Sequence, residues 1–231
     1  MNKSGVGSAF VLSLALWCAP PALAAADSRK AALNPVISHD GLEKVKTRDA
    51  DQVYARPGAS LAAYSKVIMG PVDVAFAKNW DPKRPGSSFR ITNEEREGIR
   101  SGVSKIVRDE FIKTLQAQDG YPVVEQAAPD TLLLKVSIID LYVNAPDVAS
   151  TGYSRTYVTS AGEMTLVLEA YDSETGQILS RVVDRQVSDT RGGQMSWSNR
   201  VMNAGEAELI ASGWARKLRK SLDKAHGVGK K

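Results

Sequence analysis

The sequence Thr131-Leu-Leu-Leu-Lys-Val-Ser-Ile-Ile-Asp-Leu-Tyr-Val143 has apolar side chains at both odd and even positions. Successive side chains of a β-strand point to opposite faces of its sheet. One face of this segment therefore carries Leu132, Leu134, Val136 and Ile138. The other face carries Leu133, Ile139, Leu141 and Val143. Apolar residues on both faces predict a buried strand that is at least partly covered on each side.

Downstream of this strand, the sequence predicts a β-hairpin. Glu163–Tyr171 alternates apolar and polar residues, which is the spacing of a half-buried strand. Asp172-Ser-Glu-Thr-Gly176 is typical of a turn, because its glycine is free to adopt positive φ. Gln177–Val187 is predicted to return as the partner strand, and a further short strand is predicted near Tyr157.

Upstream, Tyr64–Phe76 is predicted to form the first strand. It contains Pro71, which cannot donate a hydrogen bond to a neighbouring strand, so we expect a bend or an edge position there. A helix is predicted to begin at Thr92, because Thr92 and Glu95 have the spacing of a capping box. The inner face of this helix is predicted to carry Ile99, Val103, Ile106, Val107, Phe111 and Leu115. A short strand is predicted at Tyr121–Glu125.

A second helix is predicted near the C-terminus. Asn203 and Glu206 are expected to cap its start. Its inner face is predicted to carry Ile210, Trp214, Leu218 and Leu222. The segment Arg191–Trp197, which precedes it, contains two adjacent glycines and is predicted to be a flexible loop.

These elements predict an α+β fold, with a mostly antiparallel sheet of four to five strands and two helices packed on one face. The predicted single domain covers residues 51–226. Residues 25–50 are rich in Ala, Lys, Asp and Ser without a clear period, so we expect a flexible leader there. Residues 227–231 are predicted to form a disordered basic tail.

The N-terminal residues have the three parts of a secretory signal peptide. Lys3 provides the positive start, and Ala9–Trp17 is an apolar run too short to span a bilayer. Ala22-Leu-Ala24 places small residues at the two positions that signal peptidase requires. We therefore predict that residues 1–24 are removed after Ala24 and that the mature chain is exported to the periplasm.

Cys18 leaves an alternative open, in which the chain is an outer-membrane lipoprotein lipidated at this residue. A lipidation signal needs a small residue just before the cysteine, whereas Trp17 is bulky. Cleavage after Ala24 would remove Cys18, the one cysteine of the chain, and leave neither a disulfide nor a thiol nucleophile.

The composition restricts the chemistry that the chain is expected to perform. A net charge of +4 is too small to indicate nucleic-acid binding. The two histidines lie in the predicted leader (His39) and near the C-terminal tail (His226), which argues against a Ser-His-Asp triad or a histidine zinc site. We expect no cofactor and no metal. The carboxylates within predicted strands, Asp73, Asp140, Glu169 and Asp184, are expected to face outward or to lie at edges.

Two sets of residues are candidates for partner binding. Trp80 and Trp197 lie in predicted loops, where a tryptophan is either a binding anchor or a lid packed onto the sheet. Arg216, Lys217 and Lys220 lie on the last helix and could contact anionic lipid, although cations near a helix C-terminus also interact favourably with its dipole.

Several segments resemble, in this order, the bacterial family called domain of unknown function 3313. They are Tyr54–Ala59, Tyr64–Asp73, Lys78–Pro82, Glu169–Leu179 and Trp214–Asp223. The resemblance spans Gln52–Asp223 and implies an exported protein of Gram-negative bacteria, in many members a lipoprotein. The family has no established activity, so it implies no catalytic residues. The poor lipidation signal at Cys18 departs from many members.

Taken together, these patterns favour a non-enzymatic envelope protein that acts as a binding or assembly module, with an envelope protein or a cell-wall component as partner. Alanine at Trp80 or Trp197 should then weaken partner capture with the melting temperature nearly unchanged; if these residues pack in the core, stability should fall instead. One alternative is a carboxylate-dependent cell-wall hydrolase with two close acids in a deep pocket. Another is a peripheral membrane protein bound through the basic C-terminal helix.

Overall fold

The computed structural model describes residues 40–81, 90–143, 156–158, 162–187, 196–198 and 200–228. The predicted signal peptide with Cys18 and Ala24, and residues 25–39 of the predicted leader, lie outside these ranges. The helices are α1 (Asn93–Gln116) and α2 (Arg200–Ala225). The strands are β1 (Glu43–Val45), β2 (Gln52–Ala55), β3 (Lys66–Phe76), β4 (Thr131–Val143), β5 (Thr156–Val158), β6 (Gly162–Asp172), β7 (Ile178–Val187) and β8 (Ser196–Ser198).

Six of the strands form one mixed sheet in the order β1-β2-β7-β6-β4-β3. All neighbours are antiparallel except β3 and β4, which are parallel. The reason is α1, which connects β3 to β4 and carries the chain back to the end of the sheet where β3 began. The α+β class is therefore confirmed, but the sheet has six strands rather than four to five, and it is mixed.

The additional strands, β1 and β2, lie at the N-terminal side of the predicted domain. β1 lies within residues 25–50, the segment predicted to be a flexible leader, and pairs with β2. Leu42 is fully buried. Arg56 fixes this segment to the sheet, because its guanidinium donates to the carbonyl oxygens of Ile178 and Asp40, both at 2.7 Å.

The hydrophobic core lies between one face of the sheet and the two helices. As predicted, β4 contributes Leu132, Leu134, Val136 and Ile138, and α1 contributes Val107, Phe111 and Leu115. From α2 come Trp214, Leu218 and Leu222. Leu141 also joins this core, contrary to the prediction that it shares the opposite face with Leu133 and Ile139. A bulge in β4 causes the change, with Asp140 at a φ of 52°, a conformation that aspartate tolerates.

The observed helix ends agree only in part with those predicted from the sequence. The capping box of α1 is confirmed: Thr92 Oγ1 accepts from the Glu95 N–H at 3.2 Å, and the Glu95 carboxylate accepts from the Thr92 N–H at 2.6 Å. α2 begins at Arg200, so Asn203 lies inside the helix rather than at its cap. No helix of the described ranges is long and apolar enough to cross a membrane.

The shorter elements differ more from the sequence prediction than the helices do. The strand predicted at Tyr121–Glu125 is reduced to a single bridge between Val123 and Val67. The strand predicted near Tyr157 is confirmed as β5, which pairs with β8. β8 occupies the end of the segment predicted to be a loop, whose residues 191–195 lie outside the described ranges.

Arg219 of α2 links the two helices at the end of α1. Its guanidinium donates to the carbonyl oxygens of Leu115 at 3.3 Å and Ala117 at 2.7 Å, at the end of the helix where carbonyl groups lack intrahelical partners. The Leu115 oxygen also accepts from the Tyr121 N–H at 2.8 Å. Gly120 makes this approach feasible, since a Cβ at that position would lie 2.1 Å from the Arg219 guanidinium and 2.2 Å from the Leu115 oxygen.

A buried carboxylate, Asp184 of β7, links α2 to the sheet. Asp184 is 3% exposed and accepts hydrogen bonds from Trp214 Nε1 at 2.7 Å, Gln186 Nε2 at 2.9 Å and Lys217 Nζ at 3.1 Å. Its other oxygen accepts from the Asp51 N–H at 3.2 Å. Asp184 is therefore an inward-facing carboxylate, contrary to the expectation of an outward or edge position.

The electrostatics of this network make it sensitive to acid. Burial acts to raise the pKa of Asp184, but the hydrogen bonds from Gln186, Trp214 and Lys217 and the charge of Lys217 outweigh it and hold the pKa below 3.8. Because the pKa of Asp184 is lower in the folded chain than in the unfolded chain, the ionised carboxylate stabilises the fold at pH values above the unfolded-state pKa. This stabilisation is lost as the pH falls through the folded pKa.

We expect Asp184→Asn to lower the free energy of unfolding by about 2 kcal/mol at pH 7, because the amide cannot serve three donors as an ionised carboxylate does. Urea denaturation at a series of pH values measures this difference. The gap between wild type and variant should narrow as the wild-type carboxylate becomes protonated below its folded pKa. A gap that is independent of pH would contradict the assignment.

Candidate binding groove

The edge of the sheet at β3 is covered over its first half. Val67 donates its N–H to the Pro122 oxygen at 3.0 Å and accepts from the Val124 N–H at 2.8 Å. The Arg108 guanidinium of α1 donates to the carbonyl oxygens of Met69 at 2.9 Å and Gly70 at 3.1 Å. Side chains and a passing loop therefore occupy the positions where a further strand would pair.

After Gly70, the contacts that cover the edge of β3 extend only as far as Val72. Pro71 has no N–H to donate, and the carbonyl oxygen of Val72 accepts from Ser104 Oγ at 2.8 Å. From Asp73 to Phe76, the described residues provide no neighbouring strand on the outer side of β3. The edge position predicted from the Gly70-Pro71 step is thus confirmed, and within the described ranges no strand pairs with its last four residues.

An open groove of about 560 Å³ runs along this part of the edge. Its floor is formed by β3 and β4, and its wall by the first half of α1. The lining residues are Val72, Asp73, Val74, Ala75, Glu97, Arg100, Ser101, Ser104, Ser137, Ile138 and Ile139.

The helix wall of the groove is polar. Arg100 Nη1 lies 2.6 Å from Glu97 Oε2, and Ser101 Oγ donates to the carbonyl oxygen of Gly98 at 3.2 Å. Two carboxylates, Asp73 and Glu97, line the groove, and Glu97 is engaged by Arg100. No group of three or more His, Cys, Asp or Glu residues in the described ranges could hold a metal ion.

Trp80 supports the residues beside the groove. Its ring stacks on Phe76 with centroids 4.1 Å apart and an interplanar angle of 7°. Arg96 lies over the Trp80 ring at 5.0 Å, and Arg100 lies over the Phe76 ring at 5.6 Å. Trp80 Nε1 donates to the Val143 oxygen at 3.0 Å, so the tryptophan ties the end of β3 to the end of β4.

Trp80 is therefore packed in the interior, with 4% of its surface exposed. The sequence left two roles open for Trp80, a binding anchor or a lid packed onto the sheet. The structure supports the packed role. Trp80 and Ile91 form the buried part of a small cluster, which the half-buried Phe76 and Ile99 complete. This cluster holds the Arg100 side chain in place on the groove wall.

The other sequence candidates lie on other elements. Trp197 is in β8, where its backbone pairs with Tyr157. Arg216, Lys217 and Lys220 are exposed together on α2. Lys217 is also engaged by Asp184, as described above, and Arg216 donates to Ser212 Oγ at 3.1 Å.

Sequence reasoning missed the groove itself. The signal that could have located it is the spacing of Ser101 and Ser104, two small polar residues on one face of a helix predicted to lie beside an edge strand. Of the carboxylates expected to face outward, Asp73 and Asp140 are exposed, whereas Glu169 accepts from Arg181 Nε at 2.7 Å on the sheet surface.

The fold and the groove define an α+β chain with one partly open sheet edge. This chain belongs to the family described as "Protein of unknown function (DUF3313)", whose model matches residues 31–218. The family resemblance found in the sequence is thereby confirmed. Comparison with proteins of curated function finds no match.

Similar solved structures share low sequence identity with this chain. The PelC dodecamer from Paraburkholderia phytofirmans is 12% identical, with a TM-score of 0.36, over 74% of this chain and 95% of that one. Protein XCC0632 from Xanthomonas campestris is 9% identical, with a TM-score of 0.41, over 72% and 90%. The hypothetical protein CT253 from Chlamydia trachomatis is 8% identical, with a TM-score of 0.37, over 71% and 99%.

We expect Trp80→Ala to lower the free energy of unfolding by about 3 kcal/mol, because it removes a buried aromatic ring from its cluster. The matched variant Trp80→Phe keeps a ring to stack on Phe76 and loses the hydrogen bond to Val143, so its cost should be about 1 kcal/mol. Urea denaturation followed by circular dichroism measures both. An alanine variant as stable as wild type would show that Trp80 is not a packing residue.

Proposed function

We propose that this protein is a non-enzymatic binding module of the bacterial cell envelope that captures an extended peptide segment of a partner protein along β3. The observation that carries the proposal is the stretch of β3 from Asp73 to Phe76 that pairs with no outer strand of the described ranges and lines the groove as far as Ala75. Extended segments bind such edges through main-chain hydrogen bonds, and neighbouring pockets select their side chains.

The distribution of cover along β3 supports this role. An exposed edge favours unwanted pairing, and proteins usually cover or charge their edges. Here Arg108 and Ser104 cover the carbonyl groups of Met69, Gly70 and Val72, whereas the next three residues line the groove. The edge is therefore left open where the helix wall leaves room for a second chain.

The lining favours a segment with alternating polar and small or apolar residues. Ser101, Ser104 and the Glu97–Arg100 pair offer donors and acceptors from α1. The half-buried Ile139 offers apolar surface from the floor. A strand added along the edge would direct alternate side chains to the polar wall and to the apolar floor of the groove.

The predicted signal peptide supports a place in the envelope. Cleavage after Ala24 would release the chain into the periplasm, where envelope proteins are candidate partners. Lipidation at Cys18 would instead hold the same domain at the outer membrane. In both cases the groove would be presented outside the cytoplasm.

The test uses peptides that are selected, from a library of random displayed peptides, for binding to the mature chain. A bound peptide should slow hydrogen exchange of the backbone amides in Val72–Phe76, since strand addition protects edge amides. We expect Ala75→Lys and Ser101→Trp each to weaken peptide binding about tenfold or more, because loss of one or two main-chain hydrogen bonds costs roughly 1 kcal/mol each.

Matched controls separate the groove from general surface effects. Ser221→Trp places the same bulk on α2, where the serine, like Ser101, is exposed and bonded to a carbonyl of its own helix. Ala62→Lys adds the same charge at an exposed position of the turn before β3. Both controls should bind like wild type. Bound peptides that leave the exchange of Val72–Phe76 unchanged would overturn the proposal.

A further inference from the structure

The exposed face of α2 carries a row of cations, Arg216, Lys220 and Lys224, at intervals of four residues. Residues four apart lie one above another on a helix. Trp214, Leu218 and Leu222 bury the opposite side of α2 against the sheet and α1. The row therefore faces solvent along about 12 Å of helix, from the rise of 1.5 Å per residue.

We propose that this cationic row docks the domain onto the surface of an anionic lipid bilayer. The first support is that no carboxylate within the described ranges lies in ion-pair distance of the three cations. Asp223, the nearest acid in sequence, is engaged by Arg219 at 2.8 Å. Asp184 is buried and engaged by Lys217.

The exposed cations of α1 differ from this row, because they pair with acids of their own helix. On α1, Arg100 pairs with Glu97 at 2.6 Å, Lys113 pairs with Glu110 at 2.9 Å, and Lys105 pairs with Asp109. Each of these pairs joins opposite charges three or four residues apart, which stabilises a helix. Like charges at the same spacing on α2 repel one another and destabilise it.

The helix dipole does not account for the row. Favourable interaction of a cation with the C-terminal end of a helix falls off within the last turn. Lys224 lies in that last turn, but Arg216 and Lys220 precede it. A row that costs stability and extends beyond the reach of the dipole points to an anionic surface that would compensate it.

Exposed apolar side chains at both ends of the row favour a bilayer over a soluble polyanion. Leu209 is 63% exposed and lies seven residues before Arg216, on the same side of α2. Val228 is 62% exposed and follows the end of the helix. Cations flanked by apolar side chains suit the interface of a membrane, where headgroups meet acyl chains.

Sedimentation with phosphatidylcholine vesicles that contain phosphatidylglycerol tests the docking of the mature chain, residues 25–231. The triple variant Arg216→Gln, Lys220→Gln, Lys224→Gln is expected to reduce the partition coefficient about a hundredfold, since each cation near an anionic surface contributes about a factor of five. Binding of wild type should weaken with added salt and be absent on pure phosphatidylcholine. The melting temperature of the triple variant should not fall.

A second triple variant is the control for net charge. Lys78→Gln, Lys105→Gln, Lys113→Gln removes the same number of positive charges from exposed residues elsewhere and should retain most of the binding. Equal partition of wild type and the α2 triple variant would overturn the proposal. Leu209→Ser, which keeps every charge, should weaken vesicle binding; unchanged binding would contradict the apolar contact on which the choice of a bilayer over a soluble polyanion rests.

Discussion

The buried carboxylate of Asp184 is the interaction on which the arrangement of this fold depends. Its oxygens receive donors from α2, from β7 itself and from the turn before β2, so one ionised group joins three segments that are far apart in sequence. Such a charge is stable in the interior only if every donor stays in place. The rotation of α2 about its axis is therefore fixed, and with it the identity of the face that meets solvent.

The two edges of the sheet are treated differently. At one edge, β1 is three residues long, and short edge strands limit pairing with other chains. At the other edge, α1 covers part of β3 with Arg108 and Ser104 and then leaves a groove. The same helix that makes β3 and β4 parallel thus also sets how much of the edge is open.

The helices, the buried strand and the hairpin could be predicted because periodicity, capping and turn chemistry are local signals. β1 and β2 have no clear sequence signal because they are only three and four residues long, and their strand conformation depends on pairing, of β2 with β7 and of β1 with β2. Leu141 was assigned to the wrong face because a bulge at Asp140 has no signature in the alternation. The groove was missed because it needs β3, β4 and α1 together, and the role of Trp80 required its stacking partner, Phe76, to be known.

The hydrogen bonds from Arg219 to the end of α1 join the two helices directly. Since α1 also holds the outer carbonyls of β3, a pull on a chain attached at that edge would load the helix pair in its plane rather than peel one helix away. Force would then pass from the sheet edge through α1 to the face of α2.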